Sequence, residues 1–229
     1  RQYCWFMQTH PVHHMYTRLF AAYGPQRWWP AESPFEVVLG AVLTQNTRWE
    51  NVRMALDNVR AAEALSPDVF ACLDDAELQA LIRPAGFFRQ KSATLQRILR
   101  VLVDEYCGEV DTFLAGETAA VRARLLDIKG IGPETADSIL LYAGNHPIFV
   151  IDAYTRRICS RMGMCGPDAG YAELQHMFMQ VLPDDVQMFN EYHALLVELA
   201  KRCCTKKSPA CDICPLMDMC KRLHLPPFP

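Results

Sequence analysis

Four cysteines in one short C-terminal segment constrain this 229-residue chain more than any other feature. Cys204, Cys211, Cys214 and Cys220 are spaced C-x6-C-x2-C-x5-C. Four thiolates that close together in sequence can wrap a single metal centre. A structural zinc site more often draws on two C-x2-C pairs far apart in the chain. Here there is one such pair, and all four sulfurs fall in one compact loop. That pattern suits a cubane [4Fe–4S] cluster, with one thiolate per iron, ahead of zinc. Cys203 adjoins the first ligand, but only Cys204 gives the x6 gap.

The other six cysteines, Cys4, Cys72, Cys107, Cys159, Cys165 and Cys203, show no close pairing. Ten cysteines in a secreted chain would suggest disulfides. The opening residues RQYCWFMQTH have no long apolar core and no small-residue cleavage site. No stretch approaches the roughly 18 apolar residues needed to span a membrane. A cytoplasmic protein (nucleoid-associated in a bacterium) with no membrane partner is expected. With 51% hydrophobic residues the chain can bury a sizeable core or two. Its net charge of −3 argues mildly against nucleic acid, because phosphate attracts Lys and Arg. Local charge weakens that objection. Arg156, Arg157 and Arg161 form one group, and Lys201, Arg202, Lys206 and Lys207 lie at and inside the cysteine loop. Both are candidates for phosphate contacts. Arg89, Lys91, Arg97 and Arg100 read as a solvated face.

Helical periodicity dominates elsewhere. PFEVVLGAVLTQNTRWENVRMALDNV places Val37, Val38, Ala41, Val42, Val52 and Leu56 near i, i+3/i+4 spacing. Ser33 is its N-cap and Pro34 its first residue. DDAELQALI, KSATLQRILRVLVDEY, TAAVRARLLDI, PETADSILLYA, DAYTRRICSRM, YAELQHMFMQVL and FNEYHALLVELAKRC read as further helices split by Gly and Pro. Only Ile148 to Ile151 looks strand-like. The fold class is all-α. One helical domain is expected over 34–145. A second is built from 1–33 and 146–229 and closed by the loop 204–220.

Within LLDIKGIGPETADSILLYA, one helix ends at Ile128 and Pro133 starts the next. The turn between them is Lys129-Gly130-Ile131-Gly132. Two glycines let the backbone turn tightly and lie close to another backbone. Free N–H groups at the new helix N-terminus can bind a phosphate oxygen. This helix-hairpin-helix pattern grips a DNA backbone without reading sequence; an ordinary Gly-cornered hairpin of helices is the plainer reading. Val150-Ile151-Asp152-Ala153-Tyr154-Thr155-Arg156-Arg157 follows, with Asp152 at a helix start, where it also suits an N-cap.

PFEVVLGAVLTQNT, KGIGPETAD, VIDAYTRR and the cysteine loop stand in the order found in the helix-hairpin-helix DNA glycosylase superfamily. The cysteine spacing resembles the cluster loop of endonuclease III. The resemblance covers most of the chain. It implies a six-helix barrel plus an iron–sulfur cluster domain with a cleft between them. It also implies double-stranded DNA with a damaged base as partner, and a monomer. Asp152 is then the catalytic aspartate. Cleaving an N-glycosidic bond builds positive charge on the sugar, which a fixed carboxylate stabilises while it orients or deprotonates water.

The sequence departs from endonuclease III at position 134. Bifunctional members carry Lys two residues after the second hairpin glycine, where it forms a Schiff base with the sugar. Glu134 cannot. A monofunctional, water-using glycosylase follows, although Glu134 also suits a helix first turn. Paired with Asp152 by the resemblance, Glu134 favours a cationic alkylated purine, and GIGPETAD, VIDAYTRR and LTQNT are similar to the endonuclease III-like 3-methyladenine DNA glycosylases. Trp28, Trp29 and Trp49 are candidate aromatic walls for a flipped base. Lys201 is a candidate pocket residue, and Gln45 or Asn46 would fill the gap left in the duplex. Lys129 to Gly132, Lys206 and Lys207 would hold phosphates. Removal of uracil or mismatched thymine is the alternative activity. An adenine-mismatch enzyme is disfavoured, since the chain stops soon after Cys220. A non-catalytic DNA-binding iron–sulfur protein is the reading from another class.

Overall fold

The computed structural model describes residues 10–226, which leaves Cys4 outside the described part. The described chain is helical, with no strand. The helices are α1 (Pro11–Tyr23), α2 (Pro34–Leu43), α3 (Trp49–Ala61), α4 (Pro67–Ala71), α5 (Asp75–Ile82) and α6 (Phe88–Tyr106). They continue as α7 (Val110–Leu114), α8 (Thr118–Leu126), α9 (Pro133–Tyr142), α10 (Ala153–Met162), α11 (Tyr171–Met179) and α12 (Val186–Arg202). None is long and apolar enough to cross a membrane. Two compact units result: Trp29–His146, and the chain ends 1–28 with 147–229.

In the unit 29–146, α2 is buried on every side, from Phe35 to Leu43. Ser33 caps it by accepting from the Glu36 N–H. The buried Glu36 carboxylate is held by Arg60 Nη2 at 2.8 Å and by the Glu32 N–H at 2.9 Å. The sequence suggests a single helix running on through Val59. The structure instead breaks it between Leu43 and Trp49, with Asn46 in the left-handed region at φ 53°. The change of environment accounts for the break. The all-buried α2 gives way to α3, whose buried residues Val52, Ala55, Leu56 and Val59 form one stripe.

The presumed solvated face of α6 is a second correction. Arg89 and Arg100 are exposed, but Lys91 is buried. Its Nζ donates to Leu43 O and Ala85 O, each at 2.8 Å, and burial pushes its pKa down to about 8. One ammonium thus satisfies carbonyls at the ends of two helical segments that precede exposed loops. Arg97 Nη1 donates to Lys129 O at 3.0 Å, inside the Gly-rich turn. Across that turn, Arg122 on α8 binds the fully buried Asp137 of α9 through two bonds, 2.6 Å and 3.2 Å.

In the unit formed by the chain ends, Ile148, Phe149, Val150 and Ile151 are extended but pair with no strand. All four are buried, at 4%, 0%, 1% and 1% exposure. The backbone of this buried run finds side-chain partners instead of a strand. Gln175 Nε2 donates to Phe149 O at 2.7 Å. Phe149 stacks on Phe178 at 4.3 Å and meets Phe189 and Tyr192 edge-on, both at 5.5 Å. Tyr192 OH, also buried, donates to Val12 O at 2.6 Å and so ties α12 to α1.

Candidate functional site

The Gly-rich turn is exposed at Lys129, Gly130 and Gly132, while Ile131 is buried beneath it. Gly130 has φ 105°, and a Cβ there would lie 2.1 Å from Thr94 Oγ1. Both facts demand glycine. Gly132 is the N-cap of α9, with Pro133 next, and no side chain caps it. The first N–H groups of α9 are therefore available to an anion. Gln45 holds the turn from the side, its Nε2 donating to Gly130 O at 3.0 Å and to Thr135 Oγ1 at 2.9 Å. Asn46, next to it, is exposed. Glu134 is exposed at the start of α9.

Trp29 and Trp49 meet edge-on at 5.1 Å, and Tyr142 tilts against Trp29 at 5.3 Å. Tyr142 is a third aromatic that no sequence spacing singled out. Gly40 makes room for Trp29, since a Cβ there would lie 2.8 Å from its Cζ2. Trp28, in the other unit, is half-buried. Sequence reasoning also passed over Phe87. The residue is 61% exposed, and its backbone is left-handed at φ 47°. It lies two residues after the Ala85 carbonyl that Lys91 holds.

Asp152 is the N-cap of α10, its Oδ1 accepting from the Thr155 N–H at 2.7 Å. Its Oδ2 lies 3.5 Å from His193 Nε2 on α12. Burial pushes the carboxyl up. His193, by hydrogen bond and charge, and Thr155 pull it down further, so it sits below the ordinary carboxylate value. At neutral pH the group is ionised. The N-cap reading holds: Oδ1 takes the Thr155 N–H. Capping fixes one oxygen and leaves a charged carboxylate in a nearly dry setting.

Cys204, Cys211, Cys214 and Cys220 line one cavity, together with Cys203. Among the described residues no group of three His, Cys, Asp or Glu side chains gathers closely enough for a single metal ion. The donor set suits a larger group. Burial pushes the Cys214 thiol up to about 11, and the neighbouring cysteines Cys203, Cys204 and Cys220 add to that rise. Four thiolates so placed repel one another unless positive charge stands among them. An iron–sulfur cluster supplies that charge, one iron to each thiolate.

The arginines expected to meet phosphate do another job. Arg161, 5% exposed, donates to Cys204 Sγ at 3.3 Å, Thr205 O at 2.7 Å and Lys206 O at 3.1 Å. Arg157 donates to Cys204 O at 2.8 Å and Ala200 O at 3.4 Å, and Arg156 to Ala169 O. Backbone carbonyls are thus satisfied by guanidinium groups, and of the three only Arg161 is buried. Lys201, Lys206 and Lys207 remain exposed. Serine at Cys211 or Cys214 is expected to abolish the brown colour near 400 nm and the iron, about four per chain, and to destabilise the C-terminal loop. Stoichiometric zinc with no iron in anaerobically prepared wild type would refute the ligand set.

Comparison with known proteins agrees. The profile of the HhH-GPD superfamily base excision DNA repair proteins matches residues 39–184, and that of the iron–sulfur binding domain of endonuclease III matches 204–220. A Methanocaldococcus jannaschii protein assigned as a DNA repair glycosylase is 43% identical over 91% of this chain and 95% of its own. Endonuclease III of Thermotoga maritima is 29% identical over 82% of this chain and 83% of its own. The structure of H. pylori 3-methyladenine DNA glycosylase bound to 1,N6-ethenoadenine superposes with a TM-score of 0.72 and 28% identity, covering 83% of this chain and 95% of that one. With both profiles matched and 43% identity to a full-length relative, the chain belongs to the HhH-GPD superfamily of base excision repair proteins as a DNA glycosylase with an endonuclease III-type [4Fe–4S] cluster.

Proposed function

We propose that this glycosylase removes alkylated purines of the 3-methyladenine type by hydrolysis and leaves the abasic strand intact. The carrying observation is Glu134, exposed at the start of α9 where a lyase of this family needs an amine. A carboxylate forms no Schiff base, so the sugar is attacked by water. A carboxylate also favours a base that carries formal positive charge, as N3- and N7-alkylated purines do. The 28% identity to the H. pylori 3-methyladenine enzyme supports the same substrate class.

The roles follow from the local chemistry. Asp152, held ionised, stabilises the positive charge that develops on the sugar and orients or deprotonates the water. The N–H groups that open α9 hold a phosphate without reading sequence. Lys206 and Lys207 add phosphate contacts from the cluster loop, and Lys129 adds one at the hairpin. Trp28, Trp29 and Trp49 offer π faces to a flipped, cationic base, with Lys201 a further pocket residue. Asn46 and Phe87 stand on the exposed loops that Lys91 anchors, where they can enter the duplex. Gln45, already bonded to Gly130 and Thr135, fills the gap only by leaving those partners.

Base release followed by gel analysis tests the reading. The product from a methylated duplex should break only when hot alkali is added, and borohydride should trap no enzyme–DNA adduct. Efficient trapping, or nicking without alkali, would show that an amine has taken over, with Lys201 the first suspect. Release of uracil or mismatched thymine, but not of alkylated purine, would instead overturn the substrate class.

A further inference from the structure

We propose that His193 is a positioning residue for Asp152, donating from Nε2 to Oδ2 so that the carboxylate meets the sugar already fixed in place. The proposal rests on Asp152 being the carboxylate that acts on the sugar.

The geometry comes first. Asp152 has two carboxylate oxygens, and the structure assigns each a neighbour on its own side. Oδ1 takes the Thr155 N–H at 2.7 Å, which any N-cap aspartate does. Oδ2 has His193 Nε2 at 3.5 Å, from a helix forty residues further along the chain. The two side chains are 13% and 9% exposed, so water competes little for the contact. Capping alone leaves the carboxylate able to pivot about its Oδ1 bond. A second contact, made on the other oxygen from a different helix, removes that freedom.

His193 is itself rigidly carried. Tyr192, the preceding residue, is fully buried and bonded to Val12 O, and Phe189 and Leu196 on the adjoining turns are also fully buried. These anchors fix the rotation of α12 about its axis, and α12 packs along α10. The imidazole therefore stands where the helix puts it. A carboxylate oriented before the reaction stabilises developing charge without a reorganisation cost at the moment of bond breaking. A donor on Oδ2 also keeps the group ionised in a dry setting, where burial alone would favour the neutral acid. Base release deposits no proton on His193 in this scheme. Its task is to hold Oδ2, while the proton of the attacking water passes to Asp152 and on to solvent.

The test compares His193→Gln, His193→Leu and Asp152→Asn in the iron-loaded full chain. The substrates are duplexes carrying single alkylpurine, 1,N6-ethenoadenine, uracil or mismatched-thymine sites, and the one that wild type turns over is used. Glutamine can place an amide N–H where the imidazole Nε2 stands; leucine fills the space with no donor. His193→Leu should slow single-turnover base release roughly 10- to 100-fold, the size of losing a hydrogen bond to a charged group. Its affinity for the duplex and its melting temperature should stay near wild type. His193→Gln should remain within about 3-fold, since the donor is restored. If leucine unfolds the protein, His193→Asn makes the same contrast, being polar but too short to reach.

The proposal falls if His193→Leu releases base within about 3-fold of wild type. It falls equally if His193→Gln is as slow as His193→Leu while both melt like wild type. Asp152→Asn separates this idea from the reading beneath it. An active Asp152→Asn removes Asp152 from the chemistry altogether. An inactive Asp152→Asn with an unimpaired His193→Leu removes only His193.

Discussion

Asp152→Asn is expected to bind a damaged duplex as wild type does and to release base at least roughly 100-fold more slowly, as when other transition-state electrostatics are removed. The substitution is well matched to the site. Asparagine caps a helix as well as aspartate does, so the bond from the Thr155 N–H survives and the fold changes little. What disappears is the charge. In the native protein that charge is present at neutral pH because His193 and Thr155 outweigh burial. The sign of the linkage follows. A carboxyl depressed in the folded state stabilises the fold above its unfolded value near 4 and loses that contribution only as pH falls below it. The glycosylase should therefore keep this group ionised through the whole physiological range. Single-turnover base release and duplex binding, measured side by side, check the prediction. A rate within a few-fold of wild type would leave Asp152 as a helix cap and nothing more.

Asp137→Ala should cost about 3–5 kcal/mol of stability, the usual loss when one partner of a buried ion pair is removed. Asp137 is wholly enclosed, and both its oxygens are held by Arg122, at 2.6 Å and 3.2 Å. The pair spans the two helices on either side of the Gly-rich turn, so it also fixes the angle at which the hairpin is presented. Arg122 is 27% exposed and can turn its guanidinium toward water, which favours the lower end of the range. Thermal unfolding should drop by roughly 6–20 °C in a chain of this size. Replacing both partners with apolar residues should recover much of the loss, since the penalty comes from the charge left behind. A drop below about 2 °C for the single variant would show that the pair contributes little.

The readable parts of this protein are those whose physics is local. The C-x6-C-x2-C-x5-C spacing places four sulfurs within reach of one cluster wherever the loop lies. Two glycines flanking Ile131, with proline next, force a tight turn and start a helix from within a few residues. Ser33 and Pro34 set the start of α2 by the same kind of short-range rule. Asp152 is legible as an N-cap for that reason too, and Glu134 is legible as the absence of an amine.

Charge was where sequence reading failed, because the partner of a cation is chosen by tertiary structure. Lys91 shares its helix with Arg89 and Arg100, yet it is buried between two carbonyls that come from elsewhere in the chain. Arg157 and Arg161 look like phosphate contacts until the cluster loop folds over them and takes their donors. The run Ile148–Ile151 has strand-like residues, but all four side chains are buried and no sheet forms among the described residues. His193 carried no signal at all, being one polar residue on an otherwise ordinary helix.

The sequence by itself determined the all-helical class, the hairpin, the cluster cysteines and the carboxylate at the start of α10, since each depends on neighbours a few bonds away. Only the tertiary structure decided which oxygen of Asp152 faces His193, which cations are consumed inside the protein and which remain on its surface. Those outcomes depend on burial and on groups far apart in sequence meeting, and no spacing along the chain encodes them.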